Sequence, residues 1–271
     1  MKGRKIHIGV AIILALYLLT PLVGTLLYSF AGNWHSTILP EEWTFSWYLQ
    51  LYQDNRFFQS LLRSILVISV AVFVSISIVL LTTFTVILYF PKKEGLLKTV
   101  TLLPYGIPGV ALAIGLINIY SHESLNIAGT PWILFGVYAV VILPFAYQSI
   151  RNSLYAIHMI DLVQSAELLG APRLQAIWTT VLPNIKKGIL SAVFLSVSML
   201  FGEFALANLL VGGRFETLQI YLYQQLNKNG HTTSAIVITY YTIIMLFTFL
   251  LLRLQAPKKK KHKRLPNGTY I

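Results

Sequence analysis

The chain has 271 residues, of which 56% are hydrophobic and 11% charged, where soluble domains carry about a quarter charged residues. So apolar a balance excludes an ordinary soluble domain, and the net charge of +12 has to be judged by where it lies rather than by its sum. The absence of cysteine excludes disulfide frameworks, thiolate metal sites and cysteine nucleophiles together.

In chain order, the apolar residues gather into six blocks, at about 7–30, 61–90, 97–119, 132–150, 187–211 and 235–254. Each has about the 20 residues that a membrane-spanning helix needs. The first block follows Met-Lys-Gly-Arg-Lys. It is longer than the apolar core of a signal peptide and no small-residue cleavage site follows it, which predicts an uncleaved first helix. The next segment, 31–60, is rich in Trp and Tyr and suits a short helix lying at the membrane interface.

The third block contains LPYGIPGVALAIGLI (103–117), with Pro104 and Pro108 four residues apart and Gly106 and Gly109 beside them. Prolines within a span free backbone carbonyls that only protein or water can satisfy. One reading is a kinked gating helix with Tyr105 facing the pore; the other is a packed bend. The fifth block carries Glu203, the one acidic residue well inside any block, next to Gly202. A carboxylate at that depth should face the bundle interior or a wet cavity. It either lines a translocation path or is a structural group at a helix interface, where Gly202 permits close approach.

Six spans place both termini on one side. With the termini inside, the inner segments hold 17 Lys and Arg and the outer segments four, namely Arg56, Arg63, Arg214 and Lys228, so both termini are predicted to be cytoplasmic. The basic tail, 255–271, follows the last block directly, where Lys and Arg meet anionic lipid headgroups; a membrane anchor accounts for it better than nucleic-acid binding. The fold class is therefore an all-α membrane protein, with a single transmembrane domain over 1–271.

The longest predicted inner loop, 151–186, is ordered rather than irregular. Asp161 and Gln164 have the spacing of a capping box, which predicts a helix running to about Leu169 and stopping at Gly170 in a left-handed cap. Pro172 suits the start of a second helix, with Leu174, Ile177, Trp178 and Val181 forming one apolar face and Pro183 closing the unit. Such a hairpin either caps the bundle from beneath the bilayer or docks into a partner; spacing leaves both open.

The stretch QSAELLGAPRLQAIWTTVLP (164–183) resembles the EAA signature of the inner-membrane permease subunits of binding-protein-dependent ABC transporters, E-A-A, three residues, G, nine residues, I-x-L-P. Gln164, Ser165 and Ala166 stand at the E-A-A positions, Gly170 at the glycine, Thr180 at the isoleucine, and Leu182 and Pro183 at the closing L-P. Gln, Ser and Thr depart from the pattern. The six-block layout and the proline-containing third block extend the resemblance over most of the chain. It implies that 164–183 docks on a separate cytoplasmic ATP-binding subunit, present in two copies. A second permease subunit, expected to be a different chain, and an extracytoplasmic solute-binding protein that meets 212–234 complete the implied assembly.

The chain itself carries no phosphate-binding loop, so ATP hydrolysis belongs to a separate subunit and no cofactor is expected. Its six histidines are scattered, against a metal cluster. An integral-membrane enzyme is thus disfavoured, and an ATPase-independent channel or scaffold is the remaining rival class. For the solute, the resemblance points to the branch importing polyamines, phosphonates such as 2-aminoethylphosphonate, ferric iron or thiamine. The stretch 202–223 leans toward the phosphonate type.

Overall fold

A computed structural model describes residues 2–34, 36–122 and 126–255, with the side chains of 2–5 and 255 excepted. All but the first residue of the basic tail 255–271 lies outside these residues. The described chain is largely helical: α1 (Lys2–Phe30), α2 (Ser46–Gln53), α3 (Asn55–Tyr89), α4 (Glu94–Leu102), α5 (Gly109–Tyr120), α6 (Pro131–Val141), α7 (Leu143–Ala156) and α8 (Met159–Leu168). Then come α9 (Arg173–Ala176), a π turn (Ile177–Val181), α10 (Leu182–Asn184), α11 (Lys186–Phe201), α12 (Ala205–Leu210), α13 (Leu218–Leu226) and α14 (Gly230–Gln255).

Four runs are long and apolar enough to cross a membrane unbroken: Ile6–Phe30, Asn55–Tyr89, Pro131–Ala156 and Gly230–Leu254. Two more reach that length only as bent pairs, Pro91–Gly106 with Gly109–Tyr120 at 96°, and Arg173–Asn184 with Lys186–Phe201 at 64°. The expected third span is therefore broken, and the expected fifth, 187–211, breaks after Phe201 and resumes only as the short α12. The 12 residues of α5 and the six of α12 rise only about 18 Å and 9 Å, short of the ~30 Å hydrocarbon core. The second span begins at Asn55, six residues before the expected 61, because the Asp54 carboxylate accepts from the Arg56 backbone N–H at 2.8 Å and caps α3 early.

The core lies among α3, α6, α7 and α11, where Val67, Ala71, Leu134, Ile142, Ala146 and Ala192 are buried. Small residues allow this packing. A Cβ on Gly188 would overlap Ser153, so α11 and α7 approach closely at that point, as small residues permit between membrane helices. By contrast α1 touches mainly α14 and leaves its apolar side chains exposed, Tyr17 and Leu18 by 75% and 73%.

Each end of the bundle is tied by polar contacts. At one end Arg56 pairs with Glu216 at 2.7 Å and Tyr221 donates to Asp54 at 2.7 Å. There His231 stacks between Tyr28 and Trp47, joining α1, α2 and α14. At the other end Glu94 accepts from Arg151 at 2.7 Å and from Tyr155 at 2.6 Å, which fastens α4 to α7 just above the polar loop.

Candidate functional site

The loop 151–186 is a hairpin, and its turn forms as the glycine requires. Gly170 has φ +88°, Ala171 N–H reaches back to the Ala166 carbonyl at 3.0 Å, and Gly170 N–H donates to Glu167 at 2.9 Å. That pair of bonds is a Schellman cap, which satisfies the last carbonyls of α8. The expected capping box is not formed. α8 starts three residues earlier, after His158 at φ 49°, with no side-chain cap, and Asp161 sits inside its first turn. Burial decides this start: Met159 and Val163, four apart, seat the first turns of α8 on the core.

Gln164 and Ser165 are exposed, as is Gly170, while Ala166 is half-buried. Leu168 and Leu169, between them and the turn, are 89% and 90% exposed. Two bare leucines at a rigid turn have no partner within the described chain. The contact that closes the hairpin was not foreseen: Arg173 grips Glu167 through two bonds, at 2.6 and 3.3 Å, and its guanidinium lies over the Tyr89 ring at the end of α3. The hydrogen bond from Arg173 holds the Glu167 carboxyl below the usual carboxylate range. The pair is therefore complete above the unfolded carboxyl value of about 4.3 and is lost as pH falls through the lower folded value. Glu167→Gln is expected to speed amide exchange at 168–171 a few-fold at neutral pH, in the range of an exposed ion pair. The difference should vanish in acid; equal exchange at neutral pH would remove Arg173 as the clamp.

The returning limb buries only part of the expected stripe, Val181 fully and Ile177 by half. Ala176 and Val181 are fully buried, whereas Leu174 and Trp178 are 68% and 62% exposed. Leu174, Ile177 and Trp178 instead line an apolar cavity of about 410 Å³ against Leu81, Phe84 and Leu88 of α3. The cause is the π turn. Pro183 has no N–H and its ring would meet the carbonyl four residues back, so the turn before it widens. Nor does Pro183 end the unit: it lies within α10, and the bend to α11 falls at the buried Ile185.

Pro104 and Pro108 do not share a helix face. Pro104 lies in a tight 3₁₀ turn, Leu103–Gly106, the chain then swings by 96°, and Pro108 caps α5, its carbonyl accepting from Leu112 N–H at 3.0 Å. Tyr105 is 61% exposed and packs edge-on against Phe145, its ring centre 5.4 Å away.

Glu203 stands at the break between α11 and α12. Its carboxylate accepts from Leu206 N–H at 2.7 Å, Ala207 N–H at 3.1 Å and Tyr138 O–H at 3.0 Å. Tyr138 was not singled out in the sequence; an aromatic inside an apolar block gives no sign of its hydroxyl's partner. Leu206, whose N–H Glu203 holds, comes within 3.9 Å of a Cβ built on Gly109. The breaks of the third and fifth spans thus meet, with α12 packed on α5. Among the described residues no cluster suited to a metal ion occurs.

Broken apolar helices around one core, with a rigid polar hairpin at one end, describe a multi-pass membrane protein. The family profile for "Binding-protein-dependent transport system inner membrane component" matches residues 88–261, and the chain belongs to that family. It is 24% identical to PhnV of Salmonella typhimurium, by name a 2-aminoethylphosphonate transport system permease, over 96% of both chains. It is 30% identical to NifC of Clostridium pasteurianum, by name a transport system permease, over 56% of this chain and 54% of the other. A bacterial ABC transporter that imports the acidic polysaccharide alginate shares the fold, with a TM-score of 0.73 at 15% identity over 93% of this chain and 97% of that one. A second structure of a bacterial alginate transporter, in complex with its periplasmic protein, gives a TM-score of 0.70 at 15% identity over 92% and 91%.

Proposed function

We propose that this ABC importer permease forms the translocation path for a small charged solute, 2-aminoethylphosphonate or a related phosphonate, in the inner membrane with both termini cytoplasmic. The exposed hairpin turn carries the coupling. Gln164, Ser165, Ala166 and Gly170 present it to a separate ATP-binding subunit, present in two copies, while Leu182 and Pro183 fix the limb that returns force to α11. The observation behind this reading is the rigid turn itself, clamped by Glu167 and Arg173, with Leu168 and Leu169 bare beside it. A short helix held that firmly transmits rigid-body motion. A second permease chain and an extracytoplasmic solute-binding protein that meets 212–234 complete the assembly.

The phosphonate assignment is supported by the PhnV resemblance along the whole chain. Around Glu203, the joined breaks of α5 and α12 supply non-helical backbone at membrane depth, which occurs where protein or a cavity can satisfy it. Uptake of radiolabelled 2-aminoethylphosphonate by cells with and without the gene tests the proposal. ATP-dependent uptake lost on deletion is the expected result. Undiminished uptake removes the phosphonate, and uptake that survives ATP depletion removes the ATPase coupling in favour of a channel.

A further inference from the structure

At the end of the bundle opposite the hairpin, the segment after α5 and the turn after α12 border an open cavity of about 310 Å³, with Arg214 exposed at its edge. Its polar lining comes from Ser121, Asn126, Asn208 and Arg214, with no carboxylate among the described residues. Gly129 N–H donates to the Leu210 carbonyl at 3.0 Å and holds the two segments together. The guanidinium of Arg214 lies directly over Gly129: a Cβ there would stand 2.6 Å from Nη1, so the glycine makes the seat in which the arginine rests. None of the ion pairs among the described residues uses Arg214, and the neighbouring Glu216 is taken up by Arg56. The cavity wall includes Ile117 of α5 and Leu209 of α12, the two helices that pack together beside Gly109.

We propose that this cavity binds the tetrahedral oxyanion of a phosphonate or phosphate group, with Arg214 as the charge partner and Asn208, Asn126 and Ser121 as hydrogen-bond donors. A planar guanidinium offers paired N–H donors to such a group, and among the described residues no carboxylate lines the cavity against it. The assignment of this anion to the transported solute rests on the proposed function; a phospholipid headgroup offers the same chemistry.

The full-length chain, purified in phospholipid-free detergent, is titrated calorimetrically with inorganic phosphate, methylphosphonate and 2-aminoethylphosphonate. A parallel measurement uses nanodiscs of phosphatidylcholine with and without phosphatidylglycerol. The expected result is saturable binding of the soluble anions, weakened about tenfold or more by Arg214→Gln, the size of one lost charge-assisted hydrogen bond. Asn208→Leu should weaken it less, and Arg214→Lys should fall between. Binding confined to phosphatidylglycerol and lost in Arg214→Gln assigns the oxyanion to a lipid headgroup. No binding in either medium, or wild-type affinity in Arg214→Gln, overturns the site. Anion binding that persists where cells show no 2-aminoethylphosphonate uptake leaves the cavity standing and removes the phosphonate as solute.

Discussion

Gly170→Asp should cut uptake at least about tenfold while the protein still inserts into the membrane at normal yield. Gly170 holds φ +88°, a left-handed conformation that Asp and Asn tolerate better than other side chains do. A Cβ at this position would meet nothing within 4 Å, so the hairpin itself has room for the new side chain. Aspartate and asparagine both strain the turn at that φ, so a loss of uptake beyond that of Gly170→Asn reports a surface outside this chain, where an added carboxylate would be trapped beside Leu168 and Leu169. Gly170→Asn separates the charge from the volume and should retain more uptake than the aspartate. Normal uptake by a well-expressed Gly170→Asp protein would sink the docking assignment.

Glu203→Ala is expected to produce the largest loss of stability among single changes at the broken spans. It strands two backbone N–H groups and the Tyr138 hydroxyl, all now held by one carboxylate. Each stranded donor costs about 1–3 kcal/mol, so about 3 kcal/mol or more in total. Thermal unfolding in detergent should reveal it as a clearly lowered midpoint. Glu203→Gln keeps one acceptor oxygen and should lose about half as much, with uptake per folded molecule within about twofold of wild type. Full stability with lost uptake in Glu203→Gln would instead make the carboxylate a contact for the solute, and an unchanged midpoint in Glu203→Ala would remove it as the cap of α12.

Block length and hydropathy sufficed for the helical class, and Gly170 for the hairpin turn, because burial of apolar length and positive φ are local demands written at single positions. Other features depend on partners far away in the chain. Pro104 and Pro108 showed that the third block would bend, but not that its 96° swing would bring Gly109 against Leu206 of α12, far along the chain. Glu203 stood out as costly, yet its donors are set by a helix break that hydropathy smooths over and by Tyr138, 65 residues away. Asp161 and Gln164 had capping spacing, and tertiary burial of Met159 and Val163 outweighed it. The Glu167–Arg173 grip crosses a turn at a separation of six, a spacing that no helical rule marks.

The π turn at Ile177–Val181 sets the dial on which the hairpin is read. Counting back from the buried Ile185 in steps of an α-helix, Val181, Trp178 and Leu174 would fall on the core side; with one residue accommodated in the wider turn, Val181 and Ala176 fall there instead. One residue corresponds to about 100° of rotation. The same offset aims the Gly170 turn and its two leucines relative to α11. Deleting one residue between 177 and 181 would swing that aim through more than a quarter circle without touching any group at the turn. The limb is thus constrained in length more tightly than in composition, as a key is by the position of its teeth rather than by its metal.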